Sequence, residues 1–316
     1  METFEENLFN TGEIRINYVV GPKNGPDLVL IPGQSADWTN YEKVLPILSE
    51  NYHVYAVDVR GHGKSDWTTG DYSFTSIGRD MTAFLENVVK EPAIISGNSS
   101  GGLIALWLAA NRPNLVKGIV MEDPPLFSGD WPRIKEVSYA YVALQILVEM
   151  SKELQESRSI SGLARIFMKI KRPMPNGKVH SVPRFLAYFL SFLVRMSQKF
   201  GSGKPSLPGS LGMIFKVLFS FDVDFSQAWV DGRIYEGLDH TDALKRASCP
   251  MMLLHANWSR HPDYGLSGAM GDDDAARARE IAPAMIYKRI DSSHAIHNDK
   301  TDLYVEAINE FNANLT

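Results

Sequence analysis

The chain has 316 residues, 44% of them hydrophobic and 22% charged, which suits one large globular domain with an insertion and excludes a disordered chain. A net charge of −5 gives no basic field for nucleic acid, and the single cysteine, Cys249, excludes an intrachain disulfide and a thiolate metal cluster. The start is acidic and the longest strongly apolar run, Phe185 to Val194, is ten residues. The reading is therefore a soluble, cytoplasmic protein with no signal peptide and no transmembrane segment.

In chain order, short apolar or β-branched runs predict strands at Glu13–Val20, Leu28–Ile31, His53–Val57, Ala93–Ser96, Gly118–Met121, Met251–Leu254 and Ile286–Ile290. Between them, helical spacing predicts helices at Ile77–Lys90, Gly101–Asn111, Asp272–Ile281 and Thr301–Phe311. Strands alternating with helices imply an α/β fold with a mostly parallel, twisted sheet flanked by helices, and chemistry at the carboxyl ends of the strands. The middle differs: Ser157 to Ser220 carries eleven Lys or Arg and no Asp or Glu. It also carries many Phe and Met, and Pro and Gly clusters at 173–177 and 201–209. This predicts an inserted helical region with mobile connections, dividing the chain into 1–124, an insertion at 125–240, and 241–316.

The strand Ala93–Ser96 runs into Gly97-Asn98-Ser99-Ser100-Gly101 and then a helix. This is G-x-S-x-G where it can work, a strand entering a sharp turn that opens a helix, and it predicts Ser99 as a nucleophile. The free N–H groups and positive dipole end of that helix would face an oxyanion formed beside it. The strand His53–Val57 is followed by Asp58-Val59-Arg60-Gly61-His62-Gly63-Lys64-Ser65. That segment resembles the D-x-R-G-H-G-x-S signature of the α/β-hydrolase superfamily, and with the Ser99 turn and a histidine before the last helix the resemblance covers both flanks. It implies the α/β-hydrolase fold, with the insertion as a cap. Arg60 to Ser65 would then have a structural task near the site mouth, with His62 packed or hydrogen-bonded.

The resemblance implies His294 as the base, in Asp291-Ser-Ser-His294 before the terminal helix. His297 is the second candidate, read mainly as a surface or supporting residue; His53 and His255 are expected in the core. The acid departs from the commonest pattern. After Met251–Leu254 the sequence offers Asn257 and Ser259, neither of which can hold the charge that stabilises an imidazolium, and then Asp263. The strand Gly118–Met121 ends instead in Glu122-Asp123-Pro124-Pro125, where haloalkane dehalogenases and fungal zearalenone lactonases keep their acid. Asp123 is preferred, with Asp263 and Glu122 as alternatives; strand alternation should point Glu122 to the opposite side. The oxyanion donors would be the backbone N–H groups of Ser100 and Gln34, with Ser35 as the alternative to Gln34. Pro32 at the head of that loop, the Ser-Ser-Gly turn and the position of the acid resemble the zearalenone-lactonase group.

The leading expectation is a serine hydrolase that cleaves a carboxylic ester or lactone of a bulky apolar substrate through an acyl-enzyme, with no metal or organic cofactor. Cap aromatics and methionines would favour such a substrate where they line the interior, though any one of them more commonly packs inside the cap. The alternatives are carbon–carbon bond hydrolysis of a diketone-like substrate, for which the same triad serves, and a ligand-binding receptor with little turnover. Ser99 excludes the aspartate-nucleophile chemistry of dehalogenases and epoxide hydrolases. Partners beyond the substrate are left open as peripheral membrane contact through the basic cap, or a homodimer through Pro183 to Phe200.

Overall fold

The computed structural model describes residues 4–157, 159–173, 178–200 and 221–315. Eight strands form one sheet: β1 (Glu5–Asn10), β2 (Arg15–Val20), β3 (Asp27–Ile31), β4 (His53–Val57), β5 (Ala93–Asn98), β6 (Val116–Glu122), β7 (Met251–His255) and β8 (Ile286–Arg289). Their order is β1-β2-β4-β3-β5-β6-β7-β8. The β1–β2 and β2–β4 pairs are antiparallel and the rest parallel, as the alternation of strands and helices predicted.

Successive side chains of a strand point to opposite faces, and here both faces are buried. Leu28 and Leu30 of β3 enter one core, while Val29 and Ile31 enter the other. The first core is closed by α1 (Leu45–Leu48) and the terminal helix α12 (Thr301–Ala313). The second is closed by α2 (Phe74–Phe84), α3 (Ser100–Asn111), α9 (His240–Arg246) and α10 (Asp272–Ile281). α2 starts three residues before the predicted helix because Ser73 and Ser76 form a capping box. Strand β1 was not predicted: it is an edge strand with no buried residue, so it lacks the apolar run that marks the others.

Between β6 and β7 the chain makes α4 (Ile134–Val137), α5 (Tyr139–Glu156), α6 (Ile160–Lys169), α7 (Arg184–Phe200) and α8 (Val223–Asp231) before α9 returns to pack on α3. Helices α5, α6 and α7 have a core of their own, built from Ile146, Met150, Leu163, Phe167, Leu190 and Val194. The outward side of α7 leaves Phe185 77% exposed, with Phe189 and Phe192 beside it. Two predicted cap cations are already engaged: Lys169 pairs with Glu149, and Arg195 donates to the carbonyls of Glu153 and Leu154. The expected connections at 174–177 and 201–209 lie outside the described residues, as do Met213, Phe215 and Phe219. Among the described residues no helix is long and apolar enough to cross a membrane.

Candidate active site

The nucleophile candidate sits where β5 turns into α3. Ser99 has φ 55° and ψ −121°, a left-handed conformation that a non-glycine residue holds only where its surroundings enforce it. Its N–H donates to the Glu122 carbonyl at 2.8 Å, and its own carbonyl accepts the Gly102 N–H at 2.9 Å. The flanking glycines are required by close approach: a Cβ on Gly97 would lie 2.1 Å from the Gly101 carbonyl oxygen, and one on Gly101 2.2 Å from that of Ile31. Ser100 is the first residue of α3, so its N–H has no acceptor four residues back within the helix.

His294 Nδ1 lies 2.7 Å from Asp123 Oδ2, and Asp123 Oδ1 accepts the Ala256 N–H at 3.0 Å. Asp123 is 1% exposed, whereas the His294 side chain is open on its other side. With Nδ1–H committed to the carboxylate, Nε2 is the nitrogen left to take a proton. Desolvation alone would lower the imidazole pKa; the hydrogen bond and charge of Asp123, with the more distant charge of Glu122, outweigh it and leave the ring more basic than usual.

The other two carboxylates are placed differently. Asp263 is exposed, with its carboxylate 4.0 Å from His261 Nδ1. Glu122, one residue before Asp123, points away from it as strand alternation predicted, into a buried pocket with His297. Its carboxylate accepts from His297 Nδ1 at 2.8 Å and from the His297 backbone N–H at 3.0 Å. His297 is therefore no surface residue: it is fully buried, because the short helix α11 (Ile296–Asp299) tucks it beneath the loop. His255 is in the core as expected, and His53 is half-buried against Asp27.

In the loop after β3, Ser35 has φ 63°, which turns its N–H onto His62 Nε2 at 3.0 Å. That donor is thus occupied, which favours Gln34 over Ser35 as the candidate in this loop. The Gln34 side chain is tied back, donating to Ser226 Oγ at 2.8 Å. His62 is packed and hydrogen-bonded as expected: its ring stacks on Phe221, Nδ1 donates to the Arg60 carbonyl, and burial lowers its pKa to about 4. Arg60 is itself buried, held by Asp80, Asp71 and Glu13, which is a structural task.

Ser99, Ser100, Gln34 and His294 line one cavity of about 360 Å³. Opposite them, α5 presents Ala140, Ala143, Leu144 and Leu147, and α8 presents Trp229. The wall is thus mostly aliphatic, and among the described residues Phe167, Phe185, Tyr188, Phe189 and Phe192 do not line it; Phe167 packs between α5, α6 and α7. These wall residues were not singled out from the sequence, although Ala140, Ala143, Leu144 and Leu147 fall at i, i+3, i+4 and i+7, the spacing of one helix face. Among the described residues no cluster of three or more His, Cys, Asp or Glu is placed to hold a metal ion.

Comparison with known proteins bears on the fold. Residues 26–144 match the sequence profile of the α/β hydrolase fold family. The chain is 31% identical over 140 residues to a chloroplastic pheophytinase of Arabidopsis thaliana, covering 34% of this chain and 29% of that one. It is 30% identical over 127 residues to a fluoroacetate dehalogenase of a Burkholderia species, covering 39% and 41%. It therefore spans less than half the length of these relatives. A solved enol-lactonase from Burkholderia xenovorans superposes with a TM-score of 0.62 at 16% identity, covering 97% of this chain and all (100%) of that one. The sheet order, the serine turn at the end of β5 and these matches show that the chain has the α/β-hydrolase fold.

Proposed function

We propose that the protein is a serine hydrolase that cleaves a carboxylic ester, including a cyclic one, through an acyl-enzyme. The observation that carries this reading is convergence: Ser99, the Asp123-bound His294 and the loop and helix start bearing the Gln34 and Ser100 N–H groups face one apolar-walled cavity. His294 Nε2 takes the Ser99 proton as Oγ attacks the ester carbonyl, and the two N–H groups hold the oxyanion. The C–O bond to the leaving alcohol then breaks, with the proton returned to the alcohol oxygen. Water, deprotonated by the same imidazole, attacks the acyl-enzyme and releases the acid and free Ser99.

Residues 125–240 act as a cap whose α5 and α8 roof the cavity and select for a bulky apolar acyl group. A macrocyclic resorcylic lactone of the zearalenone type is one candidate substrate, suggested by Pro32, the Ser99-Ser100-Gly101 turn and an acid after β6. The test is acid release in a pH-stat from short linear esters, long-chain esters and such a lactone, with wild type and Ser99→Ala. Serine-dependent turnover is expected, and the Ala variant should be folded and inactive. A rate on the lactone well above that on the linear esters would identify a lactonase, and turnover of linear esters alone a carboxylesterase. A Ser99→Ala variant that keeps the wild-type rate sinks the reading. Cleavage of a ketone in place of an ester would point to carbon–carbon hydrolysis, and tight binding without turnover to a receptor.

A further inference from the structure

Beneath the Asp123–His294 pair lies a second acid–imidazole pair that the reaction above does not use. Glu122 and His297 are both fully buried, 2.8 Å apart, and adjacent in sequence or nearly so to the first pair. Resting on the serine-hydrolase reading, we propose that Glu122 and His297 are positioning residues that clamp the His294 loop against the serine turn.

The clamp has three points, all at the ends of neighbouring strands β5 and β6. Asn98 and Glu122 are register partners in the sheet. Asn98 Nδ2 donates to the His294 carbonyl at 3.0 Å, Asp123 holds the His294 ring, and Glu122 holds His297 by both backbone and ring. Glu122 also binds the serine turn directly, because its carbonyl accepts the Ser99 N–H. One residue thus touches both sides of the nucleophile–base gap. Releasing its side chain frees the segment three residues after His294 without altering Ser99, Asp123 or His294.

The groups around the pair leave Glu122 as its source of charge. Tyr41 and Tyr304 pack on the His297 ring at 4.5 and 5.9 Å between centroids. Burial pushes both phenols well above their usual pKa, so they are neutral. Asn298 Nδ2 lies 3.1 Å from His297 Nε2, on the side of the ring away from Glu122. On the loop itself Asp299 accepts the Ser293 N–H, and Asp123 faces the opposite way. The Glu122 charge favours protonated His294, so its removal shifts that group's titration downward.

The test uses the full chain and diisopropyl fluorophosphate, which needs no knowledge of the natural substrate. Ser99 Oγ bonds to phosphorus, the P–F bond breaks, fluoride leaves and His294 takes the proton. The inactivation rate is measured against pH for wild type, Glu122→Gln, His297→Gln, the double variant and Ser99→Ala, with a melting curve for each. Each single variant should react roughly 10- to 100-fold more slowly, since small misplacements of a reacting group cost about that much. The double variant should be no slower than the worse single one, and the Glu122→Gln midpoint should move to lower pH. Wild-type rate and midpoint in Glu122→Gln, with Ser99→Ala unlabelled, overturn the inference alone. A slower rate with an unmoved midpoint and a lowered melting temperature makes the pair merely structural and also overturns it. Label found elsewhere than Ser99 in wild type sinks the hydrolase reading itself. If Glu122→Gln does not fold, His297→Gln carries the rate and melting comparison.

Discussion

Replacing Asp123 with asparagine separates the role of the charge from that of the shape. Asn keeps one carbonyl oxygen for the Ala256 N–H, now 3.0 Å from Asp123 Oδ1, and fills the same buried volume. In place of Oδ2 it sets an N–H₂ group 2.7 Å from His294 Nδ1. Two donors cannot face each other, so the imidazole must turn its lone pair to the amide and carry its proton on Nε2. That nitrogen then donates where it should accept from Ser99. In a serine protease with the same arrangement the corresponding change lowers kcat by about 10⁴, or about 5.4 kcal/mol at 1.36 kcal/mol per decade. Stability should hardly change, because both contacts are replaced and a buried negative charge beside Glu122 is removed. The assay is kcat on the best substrate of the panel, with a thermal melt. Asp263→Asn, at an exposed site, should stay within about twofold of wild type. Retention of more than a tenth of wild-type kcat by Asp123→Asn, or an equal loss in Asp263→Asn, refutes the reasoning.

Three further outcomes are expected. Gly101→Ala puts a Cβ 2.2 Å from a backbone oxygen of β3, and urea unfolding should show a loss of at least about 3 kcal/mol; a loss under 1 kcal/mol would show that the turn can shift. The acidic limb of kcat/KM should have its midpoint above 6.5, because His294 must be neutral to act and its pKa is raised. The same group stabilises the fold below the unfolded pKa and ceases to do so as pH rises through the folded one, so activity and this part of stability move oppositely; a midpoint at or below 6.5 refutes it. Burial pushes the Cys249 thiol up to about 11, so iodoacetamide at pH 8 should modify it about a hundredfold more slowly than a free thiol. Modification at the free-thiol rate would mean the thiol is open to solvent.

The features legible in the sequence were those whose physics is local. Runs such as Leu28–Ile31 and Met251–Leu254 are apolar on both faces because helices cover the sheet twice. The serine turn was readable because close approach demands Gly97 and Gly101 within four residues of each other. The acid was narrowed but left open, since what separates Asp123 from Glu122 is a side-chain direction and what excludes Asp263 from the pair is exposure. His297, read as a surface or supporting residue, could not be assigned to the interior for a related reason: nothing near it in the chain announces that Glu122, 175 residues earlier, waits to receive it. The cavity wall was hidden in α5, whose apolar residues serve both the wall and its own core, so composition cannot tell the two faces apart.

Helices α5 to α7 carry a private core, while Ala140, Ala143, Leu144 and Leu147 of α5 and Trp229 of α8 meet the serine, histidine and N–H groups across the cavity. Ala140 and Ala143 can be enlarged, or Leu144 and Leu147 trimmed, without disturbing a single contact of the Asp123–His294 pair. Selection acting on such a molecule can therefore redraw its diet while leaving its chemistry alone, and a laboratory wishing to retarget it should mutate the ceiling and keep the floor.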